Sequence, residues 1–342
     1  MPVVDFEAYC ALLDRAARDR YALPAINVLQ SDTLNAAIEG LAEARSDGII
    51  QITPSAGLCT SGNLADAALG AISLAEHAHR IAERYDILIA LHTDHCPTDR
   101  VDTFLRPLIA ETARRRADGR PNLFNSHMYD GSDRPLSENM ALSVELLEIC
   151  RENDIVLEVE VGVFGGEEDG HRGPDGAPAK LYTTPEDMLR VHDALSAIEG
   201  GRYLLAAAFG NVHGVYKPGN VVLKPEILRD GQAALAARYG EDARFQFVFH
   251  GGSGSELEDI HAAIDYGVVK MNIHTDTQYA FTRAVADHMF RRYDEVMYVD
   301  GEVGVKRSYL ASTWLEAGRN GMARRVVRAC EDLRSAGKTL AG

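Results

Sequence analysis

Three histidines, His95, His213 and His250, each stand at the end of a different apolar, strand-like segment. Any one of them alone is more typical of a structural histidine than of a metal ligand. Three imidazoles that converge on one point and leave a fourth position open are typical of catalytic zinc. If the strands that carry them end at the same edge of a sheet, the three positions favour a metal centre.

Two glutamates, Glu158 and Glu160, lie two residues apart in the apolar segment IVLEVEV. On a strand, both side chains project from the same face. Two buried carboxylates are costly unless they meet a metal ion, a cation or a proton. A salt-bridged core pair is the alternative, but two carboxylates together with three strand-end histidines favour a metal site.

A glycine-rich turn follows the strand-like segment Phe245–Phe249, in the order His250, Gly251, Gly252 and Ser253. A helix is predicted after the turn, because Ser255 and Glu258 have the spacing of a capping box. Strand, glycine turn and helix start in that order form an anion site, since bare backbone N–H groups point outward and the helix dipole favours negative charge. An ordinary tight turn with a packed histidine is the alternative.

Strand-like and helix-like segments alternate along nearly the whole chain. The predicted strands are Ala22–Val28, Gly48–Thr53, Ile87–Leu91, Asn122–Met128, Ile155–Val161, Tyr203–Phe209, Phe245–Phe249 and Val268–Ile273. The small residues after the second of these strands predict a loop that extends to about Asn63. Eight apolar strands separated by helices indicate an α/β protein, a single-domain (β/α)8 TIM barrel over residues 1–342, with additional C-terminal helices over residues 300–342. A doubly wound open sheet is the alternative; the barrel is favoured because polar groups recur at the C-terminal ends of successive strands.

Composition narrows the class of protein. The formal net charge of -16 argues against nucleic acid and against an anionic membrane as partners. The five cysteines are scattered, with no CxxC pair, which suits a reducing cytoplasm. No apolar run reaches membrane-spanning length and the N-terminus lacks the pattern of a signal peptide, so the sequence predicts a cytoplasmic enzyme.

Residues 162–182 form a long segment rich in glycine and containing proline, and Glu167, Glu168 and Asp169 lie on it. Spacing alone favours a solvated acidic loop. The functional alternative is a mobile active-site loop whose closure brings in a carboxylate as a base.

Several stretches in order resemble the class II, zinc-dependent fructose-bisphosphate aldolases. They are ALPAIN, LHTDH, NSHMYD, LEVEVG with GGEED, GNVHGVYKPGN, HGGSGS and KMNIHTDTQ, with AGKTL near the C-terminus. The first seven span residues 22–278, so the resemblance covers nearly the whole chain. It implies reversible aldol cleavage of a ketose 1-phosphate, with fructose 1,6-bisphosphate as the reference substrate, through an enediolate that zinc stabilises.

The resemblance also assigns roles to residues. It implies that His95, His213 and His250 hold the catalytic zinc, that Asp94 is the acid/base on the aldehyde oxygen and that Glu168 moves the proton of the three-carbon donor. Asp130 and Glu160 match an alternative or secondary metal site. The positions that match the binding site for dihydroxyacetone phosphate are Gly214, Gly251, Gly252, Ser253, Asn272 and Thr275, with Asn27 in a further matching segment. The resemblance further implies a homodimer or larger homo-oligomer, and a monovalent cation is a weaker implication.

Three departures from the family pattern fall on the side of the site that takes the acceptor aldehyde. His274 stands where the family usually has aspartate, and Thr53 replaces a serine. Leu310, Ala311 and Ser312 stand where Asp-Pro-Arg is usual; that arginine grips the distal phosphate in a neighbouring subunit. Loss of a charge-assisted arginine–phosphate pair costs on the order of 2–4 kcal/mol, unless a nearby basic residue replaces it. The candidates for that replacement are Lys306, Arg307 and Arg319.

These departures leave more than one functional hypothesis open. Beside the bisphosphate aldolase stands a specialised dihydroxyacetone-phosphate aldolase whose acceptor lacks the distal phosphate. A barrel metal-dependent hydrolase is less favoured because the first strand does not end in an HxH pair. A non-catalytic sugar-phosphate sensor is less favoured because Asp94, Glu168 and the three histidines are all present.

Overall fold

The structure, a computed structural model, describes residues 3–162, 165–168, 171–172, 182–213, 223–297 and 304–341. Eight parallel strands in this part of the chain form a closed barrel. Around the barrel they are β1 (Leu23–Asn27), β2 (Gly48–Ile52), β3 (Ile89–Pro97), β4 (Ser126–Asp130), β5 (Val156–Val161), β8 (Tyr203–Ala207), β10 (Phe247–Phe249) and β11 (Val268–Ile273). The pairing of β11 with β1 closes the barrel, which confirms the TIM-barrel prediction against the open sheet.

Helices surround the barrel. They are α1 (Phe6–Asp19), α2 (Ser31–Glu43), α3 (Pro54–Ser61), α4 (Ala67–Ala82), α5 (Arg106–Ala117), α6 (Leu136–Glu152), α7 (Pro185–Leu195), α8 (Glu226–Tyr239), α9 (Leu257–Asp265), α10 (Thr275–Arg291), α11 (Tyr293–Val296), α12 (Lys306–Tyr309) and α13 (Ala311–Asp332). Outward-facing apolar residues of the strands, such as Ile50, Leu157 and Phe249, pack against them in one continuous core. No helix in the described ranges has both the length and the apolar content needed to cross a bilayer.

Helix α1 closes the N-terminal end of the barrel. Asp5 caps it by accepting a hydrogen bond from the backbone N–H of Ala8 at 2.8 Å. Its buried face, with Tyr9 and Leu12, packs on residues at the starts of the strands, including Leu23. Because this end is filled with apolar side chains, the polar side chains inside the barrel are left to the opposite end, where the strands finish.

A small second sheet lies beside the barrel, with the strand order β7–β6–β9. Its strands are β6 (Gly165–Glu168), β7 (His171–Arg172) and β9 (Val212–His213). The backbone of β6 runs parallel to β9, with Gly166 opposite His213, so part of the predicted active-site loop pairs with the segment that carries a predicted metal ligand. The remainder of that loop, residues 163–164, 169–170 and 173–181, lies outside the described residues.

Several predicted boundaries were wrong for identifiable physical reasons. Strand β10 begins at Phe247, because the N–H of Phe245 bonds instead to Gln232 Oε1 at 2.9 Å. The predicted capping box was also wrong: α9 begins at Leu257 behind Glu256, and no side-chain cap is formed there among the described residues. Residues after β2, predicted as a loop, form helix α3, whose first turn Thr53 caps through the N–H of Ala56.

Candidate active site

Asp94 and His95 are consecutive residues, yet both side chains contribute to one polar cluster at the C-terminal end of the barrel. On a regular strand, neighbouring residues face opposite sides. The pairing of β3 with β4 shifts register between Thr93 and Cys96, and His95 has a φ of 42°. This left-handed backbone is uncommon outside glycine and typically stores on the order of 1–3 kcal/mol. The irregularity is what brings both side chains to the site.

His95 and His250 meet edge to face, with ring centroids 4.7 Å apart. Nε2 of His95 lies 2.9 Å from Nδ1 of His250. The other nitrogen of each ring faces a carboxylate: His95 Nδ1 lies 3.1 Å from Asp130 Oδ2, and His250 Nε2 lies 2.7 Å from Glu158 Oε1. A neutral imidazole has one N–H and one lone pair. Since the carboxylates accept the N–H of each ring, the two nitrogens that face each other present lone pairs suited to one metal ion.

The residues present therefore fit a metal ion. Ligand atoms of Asp94, His95 and His250 all lie within 4.8 Å of one another. Burial lowers the pKa of His250, with the Glu158 hydrogen bond opposing it, and a neutral imidazole is the form that binds metals. Of the third predicted ligand, His213, the structure describes the backbone position on β9; its side chain lies outside the described residues.

Asp130 and Glu160 form a second candidate group with His95, again with ligand atoms within 4.8 Å. Glu160 Oε2 lies 3.7 Å from His95 Nδ1. Burial alone raises the pKa of Asp130, but the hydrogen bond from His95 and those from Ser132 outweigh it and bring that pKa to about 2. Asp130 is therefore an anion at neutral pH. The sequence placed these two carboxylates at a secondary metal site, and the geometry is compatible with one.

Three side-chain amides surround the carboxylate of Asp94, which is fully buried. Asn27 Nδ2 and Gln51 Nε2 donate to Oδ2 at 2.8 and 3.0 Å, and Asn272 Nδ2 donates to Oδ1 at 2.8 Å. Asn27 and Asn272 had been predicted as substrate-binding residues, and in this structure their amide groups bind Asp94. Neutral donors hold a carboxylate in place without adding a counter-charge.

Glu158 lies beneath this cluster, and a buried lysine pairs with it. Lys270 Nζ lies 2.8 Å from Glu158 Oε2, and both side chains are fully buried. Burial raises the pKa of Glu158, but the charge of Lys270 and the neighbouring imidazoles His92 and His250 outweigh it, so the pKa lies well below its usual range. The salt-bridge alternative thus describes Glu158, while Glu160 remains a candidate ligand. Sequence reasoning missed Lys270; its signal was a lysine within the apolar segment VVKMNI.

Asn211 is a second residue that sequence reasoning missed. Its Nδ2 donates to the backbone oxygen of His250 at 2.8 Å, and its Oδ1 accepts from the N–H of Phe209 at 2.9 Å. These bonds tie the chain just before His213 to the end of β10. The available signal was its place two residues before a candidate ligand.

The glycine turn after β10 has the backbone that an anion site needs. Gly251 has a φ of 61°, in the left-handed region that glycine adopts freely. A Cβ on Gly252 would stand 2.1 Å from Cε of Met271, so a side chain does not fit there without a shift. A cavity beside the turn is lined by Gly252 and Ser253 on one side and by Arg325 of α13 on the other.

The remaining predicted substrate residues lie at helix starts close to the ends of the strands. His274 is the N-cap residue of α10 and Thr275 is its first residue. Thr53 Oγ1 caps α3 and also lies 2.8 Å from Ser55 Oγ. Gly214 lies outside the described residues.

The basic residues considered for the acceptor phosphate differ in their surroundings. Arg319 Nη1 is engaged with Asp32 Oδ1 at 2.8 Å. Lys306 and Arg307 lie exposed on α12. Ser312 lies in the first turn of α13, the long helix that packs against α10 and α2.

Comparison with known proteins agrees with this geometry. Residues 7–338 match the family model described as class II fructose-bisphosphate aldolase. The chain is 54% identical over 343 residues to the fructose-bisphosphate aldolase of Streptomyces galbus, covering 99% of this chain and 100% of that one. It is 53% identical to the protein of the same name from Mycobacterium leprae, covering 100% of this chain and 99% of the relative.

A solved structure gives the same picture. The crystal structure of the Campylobacter jejuni fructose-bisphosphate aldolase superposes with a TM-score of 0.86 at 35% identity, covering 98% of this chain and 97% of the other. The class II enzymes are metal-dependent, in agreement with the groups of candidate ligands described above. This chain belongs to the class II fructose-bisphosphate aldolase family.

Proposed function

We propose that this protein catalyses the reversible aldol cleavage of fructose 1,6-bisphosphate to dihydroxyacetone phosphate and glyceraldehyde 3-phosphate. One observation carries the proposal: the imidazoles of His95 and His250 direct a pair of nitrogens 2.9 Å apart into the cluster that contains the buried Asp94. Metal ligands beside a carboxylate that moves protons are what an aldolase without a lysine Schiff base needs.

The metal ion is assigned as Zn2+, held by His95, His250 and His213. When bound, it acts as a Lewis acid that stabilises negative charge on the oxygens of the substrate. His95 and His250 would be oriented for it by Asp130 and Glu158, which accept the N–H of the other ring nitrogen. Asp130 and Glu160 are the carboxylates proposed for an alternative or secondary divalent ion; the lone pair of His95 is assigned to the Zn2+, because its Nδ1 carries the N–H that Asp130 accepts.

Asp94 is assigned as the group that moves the hydroxyl proton. In cleavage it takes the proton from the C4 hydroxyl of the ketose, and in condensation it returns that proton to the aldehyde oxygen. Its three amide donors fix both carboxylate oxygens, so the side chain is already oriented when the substrate arrives. Glu168, on β6, is assigned the transfer of a proton to or from the hydroxymethyl carbon of the donor, which is C3 of the ketose; its side chain lies outside the described residues.

The phosphate of dihydroxyacetone phosphate is assigned to the glycine turn. Backbone N–H groups of Gly251, Gly252 and Ser253 suit an anion without a basic side chain. Thr275, the first residue of α10, adds the positive end of a helix dipole at the same edge of the barrel. Gly214, Asn27, Asn272, Thr53 and His274 complete the proposed substrate site.

The names of the relatives favour the bisphosphate over an acceptor that lacks the distal phosphate, because proteins 53% and 54% identical to this chain are called fructose-bisphosphate aldolases. The same matches favour an aldolase over a hydrolase or a sensor. A cytoplasmic location is expected from the composition, and a homodimer or larger homo-oligomer with activation by a monovalent cation is expected from the family resemblance. Exposed apolar residues on α10 and α11, such as Phe290 and Tyr293, are compatible with a subunit interface.

The test is steady-state cleavage of fructose 1,6-bisphosphate. The rate is measured by coupling the released dihydroxyacetone phosphate to its reduction. The parent protein is expected to cleave the sugar, to lose activity on chelation and to regain it with Zn2+. The variant His250→Ala is expected to lose both the metal and turnover, whereas His77→Ala, which removes a helix histidine bound to Asn35, keeps both. Full turnover in chelator, or in His250→Ala, contradicts the proposal.

A further inference from the structure

Lys270 is a fully buried lysine to which the proposed reaction gives no role. It projects from β11 into the barrel on the same face as Asn272, two residues later. Its Nζ lies 2.8 Å from Glu158 Oε2 and 2.7 Å from Asn272 Oδ1. A buried ammonium group is costly and needs partners of this kind. Its partners here are two residues that each contact the proposed catalytic machinery.

The contacts form one continuous path. Glu158 uses its second oxygen, Oε1, to accept from His250 Nε2 at 2.7 Å. Asn272 uses its Nδ2 to donate to Asp94 Oδ1 at 2.8 Å. The order is therefore His250, Glu158, Lys270, Asn272 and Asp94, and it joins the metal-facing imidazole to the carboxylate that moves protons.

The donors and acceptors along this path allow one orientation of the Asn272 amide and one position of the proton on His250. An ammonium group only donates, so the side-chain oxygen of Asn272 must face Lys270, which turns the NH2 group toward Asp94. A carboxylate only accepts, so the N–H of His250 must lie on Nε2, which leaves the lone pair on Nδ1. Without the lysine, the Asn272 oxygen loses the donor that holds it at 2.7 Å, and the amide is held mainly by its bond to Asp94.

We propose that the Glu158–Lys270 ion pair is a positioning unit that sets, at the same time, the metal-binding nitrogen of His250 and the amide orientation of Asn272 against Asp94. The inference rests on the proposed function and adds Lys270 to it; Glu158, which orients His250 in that function, is linked through Lys270 to Asn272 as well. It predicts two effects that can be measured separately, one on zinc affinity and one on turnover.

Two double variants separate the effect of the carboxylate oxygen on zinc affinity from the effect of losing the buried charges. Glu158→Gln/Lys270→Met removes both buried charges and keeps an oxygen that accepts from His250 Nε2. Glu158→Leu/Lys270→Met removes the same charges and that oxygen as well. The leucine variant is expected to bind Zn2+ roughly 10- to 100-fold more weakly than the glutamine variant, measured by chelator competition without substrate. Equal affinities would overturn the proposal.

Turnover tests whether Lys270 sets the orientation of the Asn272 amide against Asp94. We expect kcat of Glu158→Gln/Lys270→Met, saturated with Zn2+, to fall roughly 10- to 100-fold, with KM changed much less because the glycine turn is untouched. Adding Asn272→Ala to this variant is expected to lower kcat little further, since residues that act in series are not additive, whereas KM should rise because Asn272 also belongs to the proposed substrate site. An unchanged kcat, or a full additional loss with Asn272→Ala, contradicts the path.

A matched control and a measurement on the parent complete the design. Glu111→Gln/Arg115→Met neutralises another ion pair that contains a buried arginine, on α5 and outside the barrel, and should leave zinc affinity and kcat unchanged. In the zinc-loaded parent, 15N NMR of His250 should show the proton on Nε2; a proton on Nδ1 refutes the proposal whether or not the variants fold. If the parent fails to cleave fructose 1,6-bisphosphate, the proposed function fails, while the zinc comparison still tests the positioning unit.

Discussion

At the scale of single residues, the proposed function gives two roles to different carboxylates: orienting the metal ligands and transferring protons. Glu158 and Asp130 contact the imidazoles, which they orient in the proposed function, while Asp94 is held by neutral amides and is the group proposed to exchange protons with the substrate. The difference lies in the partners: a histidine N–H links Asp130 and Glu158 to the candidate metal ligands, whereas side-chain amides hold Asp94.

The variant Asp94→Asn should therefore separate chemistry from metal binding. An amide cannot accept the hydroxyl proton, so kcat for cleavage should fall by roughly 10²- to 10⁴-fold. Zinc content should stay near that of the parent because His95 and His250 are unchanged. Steady-state cleavage and metal analysis measure the two effects.

Asp47→Asn is the matched control for Asp94→Asn. Asp47 is also a buried carboxylate, but it binds the backbone N–H of Leu88 and of Leu340 at the opposite end of the barrel. Its replacement should lower stability and leave kcat per folded enzyme unchanged. If Asp94→Asn kept normal turnover, Asp94 would not be the proton carrier.

His127 gives a prediction about pH and stability. It is fully buried, its Nδ1 lies 2.7 Å from Thr93 Oγ1, and burial lowers its pKa from 6.5 to about 3. The folded protein keeps this ring neutral while the unfolded chain takes up a proton, so its contribution is present above about pH 6.5 and is lost as the pH falls toward 3. Between pH 6.5 and pH 5 the loss should be about 2 kcal/mol.

Denaturant unfolding at several pH values measures this contribution. The variant His127→Leu should be less stable at pH 7, because it loses the bond to Thr93, but its free energy of unfolding should fall less steeply below pH 6.5. His77→Leu, which removes a half-buried histidine bound to Asn35 on helix α4, is the control and should keep the slope of the parent. Parallel curves for the parent and His127→Leu would show that His127 is not the titrating group.

At the scale of elements, the apolar strands and the order of the polar groups at their ends could be predicted from the sequence. Regular alternation and strand-end position are local properties, and they predicted that His95 and His250 come together, as their nitrogens 2.9 Å apart do; their role as metal ligands stays a prediction. What could not be predicted depends on contacts across the fold. The inward turn of both Asp94 and His95 needs the register shift against β4, and the pairing of Lys270 with Glu158 needs two strands distant in sequence.

Helix α3 shows why the loop prediction failed after β2. The segment PSAGLCTS is rich in small residues, which read as a loop, but small residues also let helices approach closely. A Cβ on Gly57 would stand 2.1 Å from the backbone oxygen of Ala67, and one on Gly70 would stand 1.9 Å from the backbone oxygen of Gly57. Helices α3 and α4 therefore touch backbone to backbone, which a propensity argument does not reveal.

The variant Gly70→Ala should force α4 away from α3. A buried Cβ against a backbone atom should lower the free energy of unfolding by roughly 1–3 kcal/mol, typical of overpacking. Thermal or urea unfolding measures it, with Ser73→Ala, an exposed position on the same helix, as the control. Stability equal to or above that of the control would mean that the two helices do not approach as described.

At the scale of the whole molecule, the charge balance opposes the proposed substrate. The chain carries a formal net charge of -16, and a bisphosphate is itself strongly anionic. Charges further apart than about 8–10 Å are largely screened at physiological salt, so binding depends on local donors. In the proposed function the glycine turn supplies them for one phosphate, and the second phosphate would need a cation elsewhere on the molecule or on a neighbouring copy.

Of the basic residues considered for the distal phosphate, the two that are exposed lie on α12. Arg319 is engaged with Asp32, whereas Lys306 and Arg307 are exposed just before α13. If this pair grips the distal phosphate, Lys306→Ala/Arg307→Ala should lower kcat/KM for fructose 1,6-bisphosphate by roughly 30- to 1000-fold, the equivalent of about 2–4 kcal/mol. For fructose 1-phosphate, which has no distal phosphate, kcat/KM should stay the same, so the measurement is the ratio of kcat/KM for the two substrates.

Arg328→Ala, which removes an exposed arginine of α13, should leave that ratio unchanged. A ratio equally unchanged in the double variant would place the second phosphate away from α12, because loss of the cation that binds it must discriminate between a sugar with that phosphate and one without.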